Sequence, residues 1–133
     1  MITANIRELV KYRIEQAVES LEAAKILHEK QYERPSVNRA YYAMFYAVLA
    51  LLATRKQETS KHSGAIALFD LEYAKPGILP KEFSKWLHEA FNLRQRSDYS
   101  PQFNLTADEV DRILRNASFF LAEVKELLAT ELA

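Results

Sequence analysis

The chain has 133 residues, 49% of them hydrophobic and 27% charged, with Lys+Arg and Asp+Glu both at 18. That length suits one domain, expected to span residues 1–133. The balanced charge leaves no global field to draw in nucleic acid, so any RNA contact must come from a local patch. Only two glycines and four prolines are present, which disfavours a strand-and-turn fold and favours long helices. The absence of cysteine excludes disulfides, thiolate metal sites and cysteine nucleophiles, and it fits a cytoplasmic location, the one expected here.

In chain order, Met1–Glu8 carries charge too early and lacks an apolar stretch, so it does not read as a signal peptide. A first helix is predicted over about residues 4–30, with Ile6, Leu9, Val10, Ala17, Val18, Leu21 and Ala24 on one stripe. The second spans about residues 35–54 and opens at Pro35, which suits a first helical turn. Its stripe of Val37, Ala40, Tyr41, Met44, Phe45, Val48, Leu49 and Leu52 is widened by Tyr42, Tyr46, Ala50 and Leu51. This helix is expected to be central. The apolar run from Ala40 to Ala53 falls short of the ~20 residues a membrane span needs, so no membrane association is expected. A polar connection, Arg55–Thr59, leads to a third helix over about residues 61–73. Lys75-Pro76-Gly77 signals a turn. Pro80 opens a fourth helix, about residues 80–96, and a loop with Pro101 covers Ser97–Leu105. Thr106-Ala107-Asp108-Glu109 has capping-box spacing and starts a fifth helix through Val110, Ile113, Leu114, Ala117, Phe120, Leu121, Val124, Leu127 and Leu128. No repeat or linker is visible. The expected fold is all-α, an up-and-down bundle of about five helices, with one shorter helix across it.

The histidines, His28, His62 and His88, form no Glu-x-x-His or His-x3-His pair, so no metal and no other cofactor is expected. Gly64 and Gly77 cannot build a nucleotide-binding glycine loop, and no Gly-x-Ser-x-Gly elbow exists. Asn38, Arg39, Tyr42 and Tyr46 give the second helix a polar, aromatic side that reads either as a ligand wall or as core tyrosines with wet hydroxyls. Lys61-His62-Ser63-Gly64 reads as an ordinary helix start or as an anion site. Arg94 is the anomaly. At about 100° per residue it lies ~20° around the helix axis from Phe83, on the apolar stripe with Leu87 and Ala90, whereas Arg96 lies ~220° away, toward water. An arginine on a buried stripe needs a carboxylate, a phosphate or backbone carbonyls as partner. Arg94, Asp98 and Tyr99 are thus the place to look for function, unless Arg94 and Asp98 merely seal the helix end.

Three segments then carry a resemblance. Ser36-Val37-Asn38-Arg39-Ala40-Tyr41-Tyr42-Ala43-Met44-Phe45, His62-Ser63-Gly64 before Ala-Ile-Ala-Leu-Phe, and Leu93-Arg94-Gln95-Arg96-Ser97-Asp98-Tyr99 together resemble a HEPN domain of the short stand-alone prokaryotic kind, over nearly the whole chain. The resemblance implies a helical bundle, usually a homodimer. It also implies, for many members, metal-independent ribonuclease activity from an arginine, a polar neighbour and a histidine four to six residues on. Some members are toxins paired with a minimal nucleotidyltransferase antitoxin, and others bind nucleotides or serve as adaptors. Arg94 and Gln95 match the first two positions, but Tyr99 stands where a four-residue spacer would put the histidine. A tyrosine, with a reference pKa of about 10, is a poor base near neutral pH.

The expected function is therefore an RNA- or nucleotide-binding homodimer with a degenerate nuclease motif, in a toxin–antitoxin-like pair with a nucleotidyltransferase. Arg94, Gln95, Arg96, Asn38, Arg39 and Tyr42 would bind ligand, with Asp98 orienting Arg94 and Tyr99 contacting the ligand or accepting a modification. One alternative is an active metal-independent endoribonuclease that uses Arg94 with Tyr99 or His62 and leaves 2′,3′-cyclic phosphate ends. The other is a non-catalytic adaptor bundle in which Arg94–Asp98 is structural.

Overall fold

The structure, a computed structural model, describes residues 2–59 and 61–133; Met1, the first residue of the N-terminal stretch read above, and Ser60 lie outside it. Helix α1 spans Ala4–Glu29, and the Thr3 hydroxyl accepts the Ile6 N–H at 3.1 Å to satisfy a free first-turn donor. Helix α2 spans Glu33–Thr54 and buries 13 of its 22 residues. It packs against α1, α3, α4 and α5, the central place its wide apolar stripe predicts. Ala40, Ala43, Ala47 and Ala50 are all fully buried, and their small side chains let neighbouring helices close in around α2.

Helix α3, His62–Phe69, runs on into a π-helical turn, Asp70–Ala74, so the third predicted helix is present but changes its winding halfway. Helix α4 spans Glu82–Tyr99, and α5, Ala107–Glu131, begins with the capping box expected at Thr106 and Glu109. The result is an all-α bundle of five helices, with no strand among the described residues. None of the described helices is long and apolar enough to cross a membrane. Phe69, Phe83 and Phe120 meet at the centre, with ring centroids 5.5 and 4.9 Å from that of Phe120. Val18, placed on the buried stripe by periodicity, is 38% exposed, because it falls at the edge of the line drawn by Val10, Ala17, Leu21 and Ala24.

One boundary differs in a way that matters. Helix α4 continues three residues past Arg96, so Ser97, Asp98 and Tyr99 are helical where a loop was expected. Buried Leu93 and Ser97 extend the apolar stripe one more turn. The Arg34 guanidinium then donates to the backbone carbonyls of Ser97, Ser100, Pro101 and Phe103, satisfying carbonyls that a helix end leaves bare. Pro101 forces the stop: Ser100, directly before it, is extended at φ −116° and ψ 100°, as the proline ring requires of its predecessor.

Candidate functional site

Three helices deliver side chains to one place. Helix α2 carries Tyr41 and Tyr42 in succession, the first fully buried and the second half-buried at the surface. Helix α4 carries Arg94 and, one turn on, Asp98. The start of α3 carries His62. Gly64 helps to place that start, because a Cβ there would come within 2.6 Å of the Thr59 hydroxyl oxygen. Its absence lets the preceding connection fold down against α3.

The imidazole of His62 stacks flat on Phe45, with centroids 4.1 Å apart and planes at 3°. It lies 5.7 Å from the Tyr41 ring and edge-on to Tyr42 at 5.6 Å. Nδ1 of His62 and the Tyr41 hydroxyl oxygen are 2.8 Å apart. The Arg94 guanidinium sits over the same two rings, 5.6 Å from the Tyr41 centroid and 5.3 Å from that of Tyr42. A second guanidinium, that of Arg39, lies 4.8 Å from the Tyr42 centroid. Two like charges thus share one aromatic ring, a placement that the ring's negative faces favour.

Asp98 is the one carboxylate ion-paired with this group among the described residues. Its Oδ2 is 3.3 Å from Nε of Arg94. Even so, Nε is a buried nitrogen without a hydrogen bond, so Asp98 offsets the charge of Arg94 without saturating its donors. The surroundings also shift two titrations. Burial, aided by the positive charge of Arg94, holds His62 below its usual pKa. Burial pushes the Tyr41 hydroxyl well above the usual tyrosine range, against a smaller opposing pull from Arg94. The site therefore holds a neutral imidazole and a neutral phenol at neutral pH, beside two permanent cations.

The structure brings together Arg94, Asp98, Arg39, Tyr42 and His62 from the residues singled out in the sequence. Asn38, half-buried, directly precedes Arg39 on α2. Gln95 is exposed. Arg96 turns away, with its guanidinium 4.3 Å over the Phe103 ring. Tyr99 is 76% exposed, and five helical residues set it ~140° around the axis from Arg94. Among the described residues the Arg94 guanidinium meets Asp98, Tyr41 and Tyr42, not Tyr99. Among those residues, no three His, Asp or Glu side chains cluster so as to hold a metal ion.

Two residues escaped the sequence reading. Tyr41 passed for core, although a phenol on a buried stripe has to find a partner for its hydroxyl. Arg34 gave no signal at all, since its four carbonyl partners lie 63 to 69 residues further on.

The chain is similar to known proteins throughout this region. The HEPN domain family matches residues 10–127. Among relatives, "Putative toxin MJ0142" of Methanocaldococcus jannaschii is 37% identical over 94% of this chain and 84% of its own length. "Putative toxin MJ0605" of the same organism is 35% identical over 96% of this chain and 95% of its own. A UPF0332 protein of Thermotoga maritima is 35% identical over 91% and 92%.

Proposed function

Because the chain belongs to the HEPN domain family, we propose that it is a toxin-like HEPN protein whose Arg94 site binds the phosphate groups of RNA or of a nucleotide. The names of two relatives supply the toxin-like part. One observation carries the phosphate part: the guanidinium groups of Arg39 and Arg94 converge on the Tyr42 ring with, among the described residues, a single carboxylate ion-paired beside them. In a chain of net charge zero, this is a local excess of positive charge beside an aromatic face. That combination suits a phosphate with a base stacked next to it. Asp98 fixes the orientation of Arg94 along the helix. Exposed Tyr99 stands at the helix end as a contact for ligand or as an acceptor for a nucleotidyltransferase partner. A homodimer would set two such sites facing one ligand.

The test is binding of a short single-stranded RNA and of a mononucleotide, followed by fluorescence anisotropy, with Arg94→Ala beside the unaltered protein. The expected result is a loss of affinity of about tenfold or more, one charge-assisted contact, with little change in Tm. Equal affinity in both proteins, or a variant that only melts earlier, would leave Arg94 a structural residue in an adaptor bundle. The same proteins incubated with end-labelled RNA in EDTA decide between binding and catalysis. Cleavage to 2′,3′-cyclic phosphate ends by the unaltered protein alone would make it a nuclease.

A further inference from the structure

The proton inventory of the Tyr41–His62 pair goes further than the placement of its rings. The Tyr41 side chain is fully buried. Among the described residues its hydroxyl has one hydrogen-bonding partner, Nδ1 of His62 at 2.8 Å. Two arrangements are open to a neutral imidazole. If Nδ1 carried the hydrogen, it would donate to the phenol oxygen, and the phenol's own hydrogen would be left in the protein interior without an acceptor. Stranding a buried donor disfavours that arrangement by about tenfold or more in population. If Nδ1 is bare, Tyr41 donates to it and both the phenol and Nδ1 are satisfied. The hydrogen of the imidazole then sits on Nε2. That nitrogen has no protein partner among the described residues and is not among the buried unpartnered atoms, and His62 as a whole is only half-buried.

We infer that His62 is a second phosphate-oxygen donor beside Arg94, presenting Nε2–H in a tautomer that buried Tyr41 fixes. This rests on the phosphate-binding reading of the Arg94 site and says how that site is completed. His62 would touch the ligand; Tyr41 is a positioning residue that acts through it. The assignment also states what His62 does not do. To act as a base, Nε2 would need a free lone pair, which requires the hydrogen to move to Nδ1. To act as an acid through the pair, Nε2–H would leave while the phenol proton passed to Nδ1, creating a buried phenolate. Burial opposes both, and the raised pKa of Tyr41 adds to the second obstacle. Besides the Phe45 ring stacked on it, the titratable and charged groups facing His62 among the described residues are Tyr41 and Tyr42 from α2 and Arg94 from α4, with Asp98 paired to Arg94. None of the four brings an unpaired negative charge that would draw a proton onto the imidazole. The ligand class is a phosphate oxyanion, either an RNA phosphodiester or a free nucleotide's phosphate.

Long-range proton–nitrogen NMR on the 15N-labelled chain, without ligand at about pH 7, reads the tautomer directly. A bare Nδ1 and a protonated Nε2 are expected, with a mixture of tautomers in Tyr41→Phe. A protonated Nδ1, or an imidazolium, would overturn the assignment. The donor role is then read by titrating inorganic phosphate, 5′-AMP and a single-stranded RNA decamer into the unaltered protein, His62→Gln and His62→Phe. Glutamine keeps an N–H and is expected to stay within about threefold of the unaltered affinity, while phenylalanine keeps the ring stack and falls by about tenfold. The three probes separate a free-phosphate or nucleotide site from an RNA site. Affinity of the unaltered protein for the RNA decamer, whose internal phosphodiesters keep one charge each, is expected to stay flat from about pH 7 to 8, where the imidazole is neutral. Full affinity in His62→Phe would sink the donor role alone and leave Arg94 as the binding group. Failure of the unaltered protein to bind any of the three probes would sink the phosphate-binding reading itself, and the donor role with it.

Discussion

Arg34 is the residue whose removal should be felt furthest from its own helix. It joins the first turn of α2 to the last turn of α4 and to the loop that follows, through the carbonyls of Ser97, Ser100, Pro101 and Phe103. Charge-assisted bonds of this kind each contribute about 1.5–3 kcal/mol, less where water can substitute. Arg34→Ala is expected to cost about 2–3 kcal/mol in chemical denaturation and to raise hydrogen exchange at residues 97–105 before the rest of the chain. Arg34→Lys should rescue little, since an ammonium group cannot span four acceptors as a planar fork does. A variant with unchanged exchange in that segment would show that α4 holds its last turn unaided. His62 makes a different prediction. Its native pKa is held below the unfolded value of 6.5, so below pH 6.5 the unfolded chain binds a proton that the native chain does not. Stability should therefore fall as pH drops through that window and level off once the native imidazole also titrates. His62→Gln is expected to lose less stability than the unaltered protein between about pH 7 and 5 in parallel melts. An equal loss in both would place the acid sensitivity elsewhere. Periodicity alone put Arg94 among core side chains, and its side chain is 17% exposed. The meeting of His62 with Arg94 could not be read that way, because it depends on how α3 returns across α2, which no local pattern encodes.

At the level of helices, the ends show where sequence signals ran thin. Helix α1 closes with Gln31 in the left-handed region at φ 66°, its N–H bonded to the His28 carbonyl and the next N–H to that of Leu27. Helix α2 closes the same way, with Lys56 at φ 57° and bonds from Lys56 and Gln57 to Ala53 and Leu52. These are Schellman caps, a motif that usually announces itself with glycine. Here neither does, so only Pro35 and the polar run after Thr54 marked the breaks. A side chain at such a position carries a backbone penalty of about 1–2 kcal/mol. Glycine removes it while adding freedom to the unfolded chain. Lys56→Gly is accordingly expected to raise stability by about 0.5–1 kcal/mol. A fall would mean that the Lys56 side chain makes contacts worth more than the strain. The start of α5 was legible because its chemistry is local. Thr106 and Glu109 satisfy each other's first-turn donors at 3.1 and 3.2 Å, and Thr106→Ala should cost about 1 kcal/mol, with Thr106→Ser nearly neutral. The end of α4 was misread for the converse reason: its extra turn depends on Arg34, more than sixty residues away in sequence.

For the whole molecule, the charge balance and the site make one joint prediction. Lys+Arg and Asp+Glu are both 18, so binding of a polyanion cannot lean on a diffuse field and must rest on the few cations that the fold gathers. Of the three arginines first read as ligand groups, only Arg39 and Arg94 share the Tyr42 ring, while Arg96 is committed to Phe103. Two phosphate contacts on single-stranded RNA give a slope of log affinity against log salt of about −1.4 per chain. Two chains facing one RNA strand across a homodimer give about −2.8. A neutral His62 adds nothing to either figure, because a hydrogen bond from an uncharged donor releases no counterion, whereas a protonated one would add a further ~0.7 per chain. Salt titrations at about pH 7, run alongside sedimentation to fix the number of chains in the complex, therefore test the cation count and the charge state of His62 together. A slope clearly steeper than about −4.2 for a dimer, beyond what four arginines and two protonated His62 side chains would give, would mean that basic residues outside this site carry the RNA. A slope near −1.4 for a dimer would mean that only one of its two sites is engaged.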